Sequence, residues 1–201
     1  MKTSPLFILP FLLIFTTQIN AQSSTVKSTY NVQLREEEGD LNNDTIDDKI
    51  ILSMDTIDQR RPIQLKIFLS QPDGKLERVV CTTQIIEAMY PNGGNQTSEY
   101  QIPIFEIEEG ILNMISEIKG GMASYSFKYQ KGNFELIHIS KGTWDGKNTT
   151  TETEYNLLTG LKIDVEKNLG SEKILNKKEQ KIPLKSLPKI QDLKYFDLQN
   201  Y

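Results

Sequence analysis

Cysteine and histidine are nearly absent from this sequence, which has one of each among its 201 residues. Cys81 has no second cysteine for an internal disulfide, and His138 has no other histidine with which to form a zinc site. A Gly-x-Ser-x-Gly elbow and a phosphate-binding glycine loop are missing as well. The sequence therefore favours a protein that is not an enzyme, and a hydrolase with an unrecognised site is the least favoured alternative.

Strong charge of either sign is also missing. The chain has 27 acidic and 23 basic side chains, which gives a formal net charge of −4. Proteins that bind nucleic acids or membrane surfaces through charge carry a strongly basic face. The mild acidic excess therefore argues against nucleic acid as a partner and against a membrane-binding face.

Long apolar runs are confined to one place, the block from Leu6 to Phe15 behind Lys2. Such a block, ended by a small residue at Ala21, is typical of a secretory signal peptide. It has about half of the ~20 residues that a membrane-spanning helix needs, so an uncleaved anchor is the less favoured alternative. The sequence predicts a signal peptide over residues 1–21, a single domain over 22–201 with no membrane span after cleavage, and a periplasmic or extracellular location.

Signal cleavage is directly testable. We expect the mature chain to begin near Gln22, because the apolar block is too short to remain as a stable bilayer span. Mass spectrometry of the exported protein should find Gln22 as its first residue. An exported protein that retains Met1 and the apolar block would contradict this prediction.

Apolar segments separated by glycine turns dominate the rest of the chain. Segments rich in branched and aromatic residues favour β-strands over 49–54, 63–69, 76–82, 102–107, 111–115, 124–129, 134–139, 149–157 and 161–167. The helix candidate is residues 83–90. From about residue 173 the sequence predicts a basic edge strand and then an extended C-terminal tail. We expect an all-β, mainly antiparallel domain with little helix, built as a sandwich or a curved meander.

Residues 39–52, GDLNNDTIDDKIIL, are the one chemically specific stretch. Asp40, Asn42, Asp44 and Asp48 occupy positions one, three, five and nine of a calcium-type loop, and the carbonyl of Ile46 occupies position seven. Hard oxygen donors at alternate positions converge on one ion when the chain turns tightly, and calcium suits such a flexible shell better than magnesium. The alternative is a metal-free turn, because Asp and Asn side chains also bind nearby backbone amides.

This loop resembles the Asp-rich loops of the FG-GAP and VCBS repeat families, where a D-x-N/D-x-D-x-x-x-D segment leads directly into a strand. The resemblance implies a calcium site on the five residues named above. Thr45 stands where the family pattern has glycine, which implies a modest affinity. Ile51 stands where an EF-hand has its bidentate glutamate, which argues against an EF-hand.

A wider resemblance covers residues 36 to 165. EGIL at 109–112, YSFKYQKGNFELI at 125–137 and YNLLTG at 155–160 are similar to segments of small exported Bacteroidetes-type proteins that carry one such loop. The resemblance implies an exported domain and no particular activity. Two Asp-Thr-Ile triplets also resemble an O-glycosylation signal of such proteins; Thr56 is the better candidate, because a glycan on Thr45 would crowd the metal loop.

Several other residues have a structural and a functional interpretation. Glu152 and Glu154 share one face of a predicted strand, which favours a solvated sheet face over an acid–base pair. His138 is expected on a sheet face or in the core, and Cys81 is expected to be a buried, inert thiol. Trp144 is expected to pack in the core or a loop, with stacking on a sugar as the alternative.

The sequence as a whole predicts a non-enzymatic, exported binding or interaction module for a protein or carbohydrate ligand. Calcium, if bound, would be structural and would hold the loop at 39–52 against the sheet. The alternative is a periplasmic inhibitor or immunity protein that blocks a toxin or a lytic enzyme, which the small acidic domain permits.

Overall fold

The computed structural model describes residues 29–94 and 96–201, except for the side chain of Gln199. The predicted signal peptide and cleavage site lie outside these residues. The described chain forms two antiparallel sheets of four and seven strands and one short helix. This confirms the predicted all-β, sandwich-like fold with little helix. No helix among the described residues is long and apolar enough to cross a bilayer.

The strands are numbered in chain order. They are β1 Tyr30–Gly39, β2 Asp48–Asp55, β3 Ile63–Ser70, β4 Leu76–Thr82, β5 Ile104–Glu108, β6 Ile111–Ile118, β7 Gly121–Gln130, β8 Asn133–Trp144, β9 Thr149–Asn156, β10 Leu161–Asn168 and β11 Ile174–Lys181; the helix α1 is Tyr195–Gln199. The smaller sheet has the order β1-β2-β3-β4, and the larger has the order β11-β10-β9-β8-β7-β6-β5.

The smaller sheet forms because its central strands alternate apolar and polar side chains. In β3, Ile63, Leu65 and Ile67 are buried and the residues between them are half-buried, so one face packs on the core. Leu65 lies opposite Leu52 of β2, which is also buried. Full burial of each of these side chains contributes about 1.5–3 kcal/mol, so this face holds the two sheets together.

The larger sheet contributes the aromatic part of the core. Phe105, Tyr125, Phe127 and Phe134 are fully buried within it. Gly132 has a φ of 75° at the turn between β7 and β8, a conformation that glycine adopts without the steric cost of a side chain. This turn sets the register in which Tyr129 lies opposite Phe134 and Phe127 lies opposite Leu136.

The two sheets meet at a seam between β1 and β5. The Arg35 Nη1 atom donates a hydrogen bond to the Pro103 carbonyl at 2.9 Å. A Cβ atom on Gly39 would lie 2.9 Å from Cγ2 of Ile107, so only glycine fits this close approach without a shift. The Asp-rich loop starts at this seam, immediately after Gly39.

The chain beyond β11 returns to the core. The Leu136 amide donates to the Pro188 carbonyl at 2.8 Å, and the Ile190 amide donates to the Phe134 carbonyl at 2.9 Å. The hydroxyl of Tyr125 donates to the Leu198 carbonyl at 3.0 Å, and burial raises the pKa of this tyrosine to about 12. These bonds attach the segment that contains α1 to the larger sheet.

Two sequence predictions in the smaller sheet and its flanking loop are wrong. The helix predicted over residues 83–90 is absent; the Met89 and Tyr90 amides instead donate to carbonyls in the loop before β3, those of Arg61 and Arg60. Cys81 was expected to be buried and is exposed, because Val80 and Thr82 occupy the inward positions of β4 and Cys81 lies between them. Strand β1 was not predicted, since it is polar and half-exposed.

Strands β10 and β11 contribute no side chain to the buried core. We call residues 161–181 the open hairpin, because none of them belongs to the buried core cluster. It exposes four large aliphatic side chains: Leu161, Leu169, Ile174 and Leu175. Its backbone ladder to β9 holds it in place.

Candidate calcium loop and exposed sheet end

The carboxylate of Asp40 lies at the centre of the Asp-rich loop between β1 and β2. Its Oδ1 accepts hydrogen bonds from the amides of Asn42 at 3.2 Å and Asp44 at 3.1 Å, and its Oδ2 accepts one from the Thr45 amide at 2.8 Å. One side chain thus folds the following residues around itself, as Asp does at the start of tight turns.

Asn42 and Asp44 are in direct contact in this turn. Oδ1 of Asn42 accepts from the Asp44 amide at 3.0 Å, and Nδ2 of Asn42 donates to Oδ2 of Asp44 at 2.9 Å. Oδ1 of Asp44 accepts from the Ile46 amide at 2.9 Å. The structure therefore brings three of the predicted ligand side chains together.

Thr45 has the backbone conformation that glycine usually supplies at this position. Its φ is 71°, in the left-handed region, where a β-branched residue is uncommon. The conformation costs about 1–2 kcal/mol for a residue with a side chain, and the bond from its amide to Asp40 offsets part of this cost. The threonine at this position thus adopts the same left-handed turn that glycine would form.

Asp48 has a different environment from the other three side chains. It is fully buried; its Oδ2 accepts from the Leu41 amide at 2.9 Å, and its Oδ1 accepts from the Ser70 amide at 2.8 Å. The Ser70 hydroxyl donates to the carbonyl of Asp47 at 2.6 Å. Asp48 thus connects the start of the loop to the end of β3.

Negative charge accumulates in this loop. Burial raises the pKa of Asp48; the Ser70 and Leu41 amides oppose the rise, and the charges of Asp44 and Asp40 add to it. Burial also acts to raise the pKa of Asp40, but the amides of residues 42–45 outweigh it and lower the pKa below its ordinary value. A cation at the loop would relieve the mutual repulsion of these carboxylates.

A calcium ion at this loop would need a mixed set of oxygen donors. Among residues 29–94 and 96–201, no group of three or more His, Cys, Asp or Glu side chains is placed to hold a metal ion. A calcium shell here would therefore combine carboxylate oxygens of Asp40 and Asp44 with the amide oxygen of Asn42 and the carbonyl of Ile46, donor types that calcium accepts. Asp48 already accepts two amide bonds, and each of its oxygens has a further lone pair.

The polar residues of β8 and β9 form cross-strand pairs on the outer face of the larger sheet. Glu154 Oε2 lies 2.9 Å from Nε2 of His138, and its Oε1 accepts from the Ser140 hydroxyl at 2.7 Å. Glu152 lies 3.0 Å from the amine of Lys167. The two glutamates therefore have different partners, as expected for a solvated sheet face.

Trp144 marks an exposed row that the sequence did not predict. It lies opposite Thr150, Thr150 lies opposite Lys167, and Lys167 lies opposite Ile174. Residues directly opposite one another project from the same face of a sheet. Trp144 is 48% exposed and Ile174 is 54% exposed, and the indole nitrogen donates to the Lys147 carbonyl at 3.1 Å.

The turn beside this row adds further apolar surface. The Leu169 amide donates to the Asn148 carbonyl at 2.8 Å, so the turns after β8 and β10 lie together at one end of the sheet. Leu169 and Leu175 are both about half exposed there. We call Trp144, Leu169, Ile174 and Leu175 the apolar sheet end.

A separate cleft of about 370 Å³ lies between the loop after β4 and helix α1. Arg60, Ile86, Pro91, Lys194 and Phe196 are among its lining residues. They come from three distant parts of the chain, which is why no sequence motif indicates the cleft.

We compared the chain with known protein families, curated proteins and solved structures. No family model, curated protein or solved structure matches the chain. The likeness of residues 40–48 to FG-GAP and VCBS loops accordingly remains a prediction that rests on those residues and their geometry.

Proposed function

We propose that this protein is a non-enzymatic, exported binding module whose Asp-rich loop holds a structural calcium ion. Calcium binding is central to this proposal because the Asp-rich loop is the one chemically specific feature of the chain. It is supported by the contact between Asn42 and Asp44 and by the tight turn at Thr45. The binding part is supported by the open hairpin and the apolar sheet end.

The apolar sheet end is the observation that carries the binding role. Four large apolar side chains, Trp144, Leu169, Ile174 and Leu175, are 48–54% exposed at one end of one sheet. Single exposed apolar residues are ordinary, but several of them at one end of a sheet favour a binding surface, here with the polar Thr150 and Lys167 between Trp144 and Ile174. An exposed tryptophan is also a frequent anchor at interfaces, since it buries a large area with few rotatable bonds.

The ligand class that this surface fits is a protein or a carbohydrate. A flat indole stacks on a sugar ring or fills an apolar pocket of a protein partner. The neighbouring Thr150 and the amine of Lys167 supply hydrogen-bond donors for the polar groups of either ligand.

Calcium has a structural role in this proposal. An ion at Asp40, Asn42 and Asp44 would neutralise the loop where it leaves the seam between β1 and β5. Through Asp48, the same loop is bonded to the end of β3. The ion would therefore stabilise the folded domain without contacting the apolar sheet end.

The binding role is tested by replacing Trp144 with alanine. Tagged protein is cross-linked in the native exported fraction and is also screened against a panel of soluble polysaccharides. Trp144→Ala should reduce capture of a specific protein or glycan at least about tenfold, in the range expected for an aromatic anchor. The matched control is Ile57→Ala, a 73% exposed residue in the smaller sheet's β2–β3 loop. Equal capture by wild type, Trp144→Ala and Ile57→Ala would contradict the proposed surface.

A further inference from the structure

Strand β11 is an uncovered edge of the larger sheet. It pairs with β10 on one side, and no described strand pairs with its other side. Seven of its eight side chains are exposed, the exception being Gln180. The opposite edge strand, β5, lies beside β1. The backbone groups of β11 are thus the free hydrogen-bonding array of this sheet, to which an extended chain can add.

The direction of the free amides follows from one hydrogen bond and the strand register. The Ile182 amide donates to the Gly160 carbonyl of the neighbouring strand's turn at 2.7 Å. The β10–β11 register continues regularly from Leu161 opposite Lys181 to Glu166 opposite Asn176. Because amides alternate in direction along an antiparallel strand, those of Lys177, Glu179 and Lys181 face away from β10.

The charge of β11 differs in sign from that of the whole chain. The strand has three lysines and one glutamate, a net charge of +2, whereas the chain has a net charge of −4. Charges more than about 10 Å apart are largely screened at 0.1 M salt, so an incoming strand interacts mainly with β11 and with the adjacent β10, whose two lysines and two acidic side chains cancel. Lys177 and Glu179 lie 2.8 Å apart, but both are about half exposed and their contact is correspondingly weak.

We propose that β11 binds an extended acidic segment of a partner protein, which adds to the larger sheet as a further strand. This inference rests on the proposed binding role and names the partner's chemistry. A second copy of β11 is a poorer occupant than an acidic strand, because it carries the same net charge of +2. The lysines therefore discourage self-association while attracting carboxylates on a different strand.

The test uses a defined probe. A fluorescent octapeptide of alternating glutamate and valine is titrated into the purified protein at low salt, and its anisotropy is measured. The matched control peptide alternates lysine and valine. The acidic peptide should bind at least about tenfold more tightly, because like charges placed opposite one another are strongly unfavourable, and its advantage should shrink as salt is added.

Backbone addition is tested by comparing Glu179→Pro with Glu179→Ala. Both variants remove the same carboxylate, but only proline removes the outward amide. Glu179→Pro should bind the acidic peptide at least about tenfold more weakly than Glu179→Ala, since the peptide carbonyl loses its donor. Lys177→Pro, which removes another outward amide, is the second variant if the first lowers the melting temperature.

The outcomes separate this inference from the proposed function. Equal binding of the two peptides, equal binding by the proline and alanine variants, or a dimer that either proline variant dissolves would overturn it. The proposed function would still stand if Trp144→Ala abolished partner capture in the same preparations.

Discussion

Replacing Asp48 with alanine should lower the free energy of unfolding by about 2–5 kcal/mol, the largest effect that we expect in the loop. The side chain is fully buried, and both of its oxygens accept backbone amides, those of Leu41 and Ser70. A hydrogen bond to a charged group contributes about 1.5–3 kcal/mol, and alanine would leave both amides without an acceptor. The loop would then lose its connection to β3.

The measurement is urea denaturation in the presence of a chelator, so that metal binding does not contribute. Asp47→Ala is the matched control, because it removes the same charge from the adjacent exposed residue and keeps the carbonyl that Ser70 contacts. The control should change the free energy of unfolding by no more than about 0.5 kcal/mol. Equal losses in the two variants would show that Asp48 does not connect the loop to β3.

Strand β3 was predictable because its local pattern and its burial agree. Ile63, Leu65 and Ile67 alternate with polar residues, and the structure buries all three. Turn chemistry at the ends of such strands fixes their pairing, as Gly132 does between β7 and β8. Segments of this kind encode their structure locally, so a single sequence is sufficient to predict them.

The segments that the sequence missed depend on distant partners. Strand β1 is polar, and it is ordered by pairing with β2 and by the contact of Arg35 with Pro103. Residues 83–90 have a composition compatible with a helix, but their backbone groups bind elsewhere: the Gln84 carbonyl accepts from the amide of Tyr195. Such long-range bonds override local preference and cannot be inferred from spacing.

The candidate calcium loop was also predictable only where its structure depends on local sequence. Alternating donors over five residues were sufficient to predict that Asp40, Asn42 and Asp44 meet in one turn. The environment of Asp48 was not predictable, because it depends on Ser70, which is 22 residues further along the chain. The apolar sheet end was missed for the same reason, since Trp144 and Ile174 reach the same end of the sheet only through the register of four strands.

Calcium should raise the stability of the protein by an amount set by its affinity. Thr45 in place of glycine favours a modest dissociation constant, ~10⁻⁴–10⁻³ M as in extracellular modules. At a calcium concentration of ~10 mM, binding to the folded state alone would then add about 1.4–2.7 kcal/mol to the free energy of unfolding. For a chain of this length, a gain of that size raises the melting temperature by roughly 3–10 °C.

The calcium-dependent rise in melting temperature should depend on the loop residues and on which ion is added. Asp44→Ala removes a carboxylate from the exposed side of the loop, so it should abolish the calcium-dependent rise. Asp47→Ala in the same loop and Glu152→Ala in the other sheet should retain it, since neither side chain is in the proposed shell. Magnesium at the same concentration should produce a smaller rise, because it demands a stricter octahedral shell.

The most direct test of a calcium-stabilised module is the melting temperature of the purified protein, measured in excess chelator and in increasing calcium up to ~10 mM. We predict a saturable rise of roughly 3–10 °C in the wild type and no rise in Asp44→Ala. A wild-type melting temperature that is the same in chelator and in calcium would contradict the account and leave residues 40–48 as a metal-free turn.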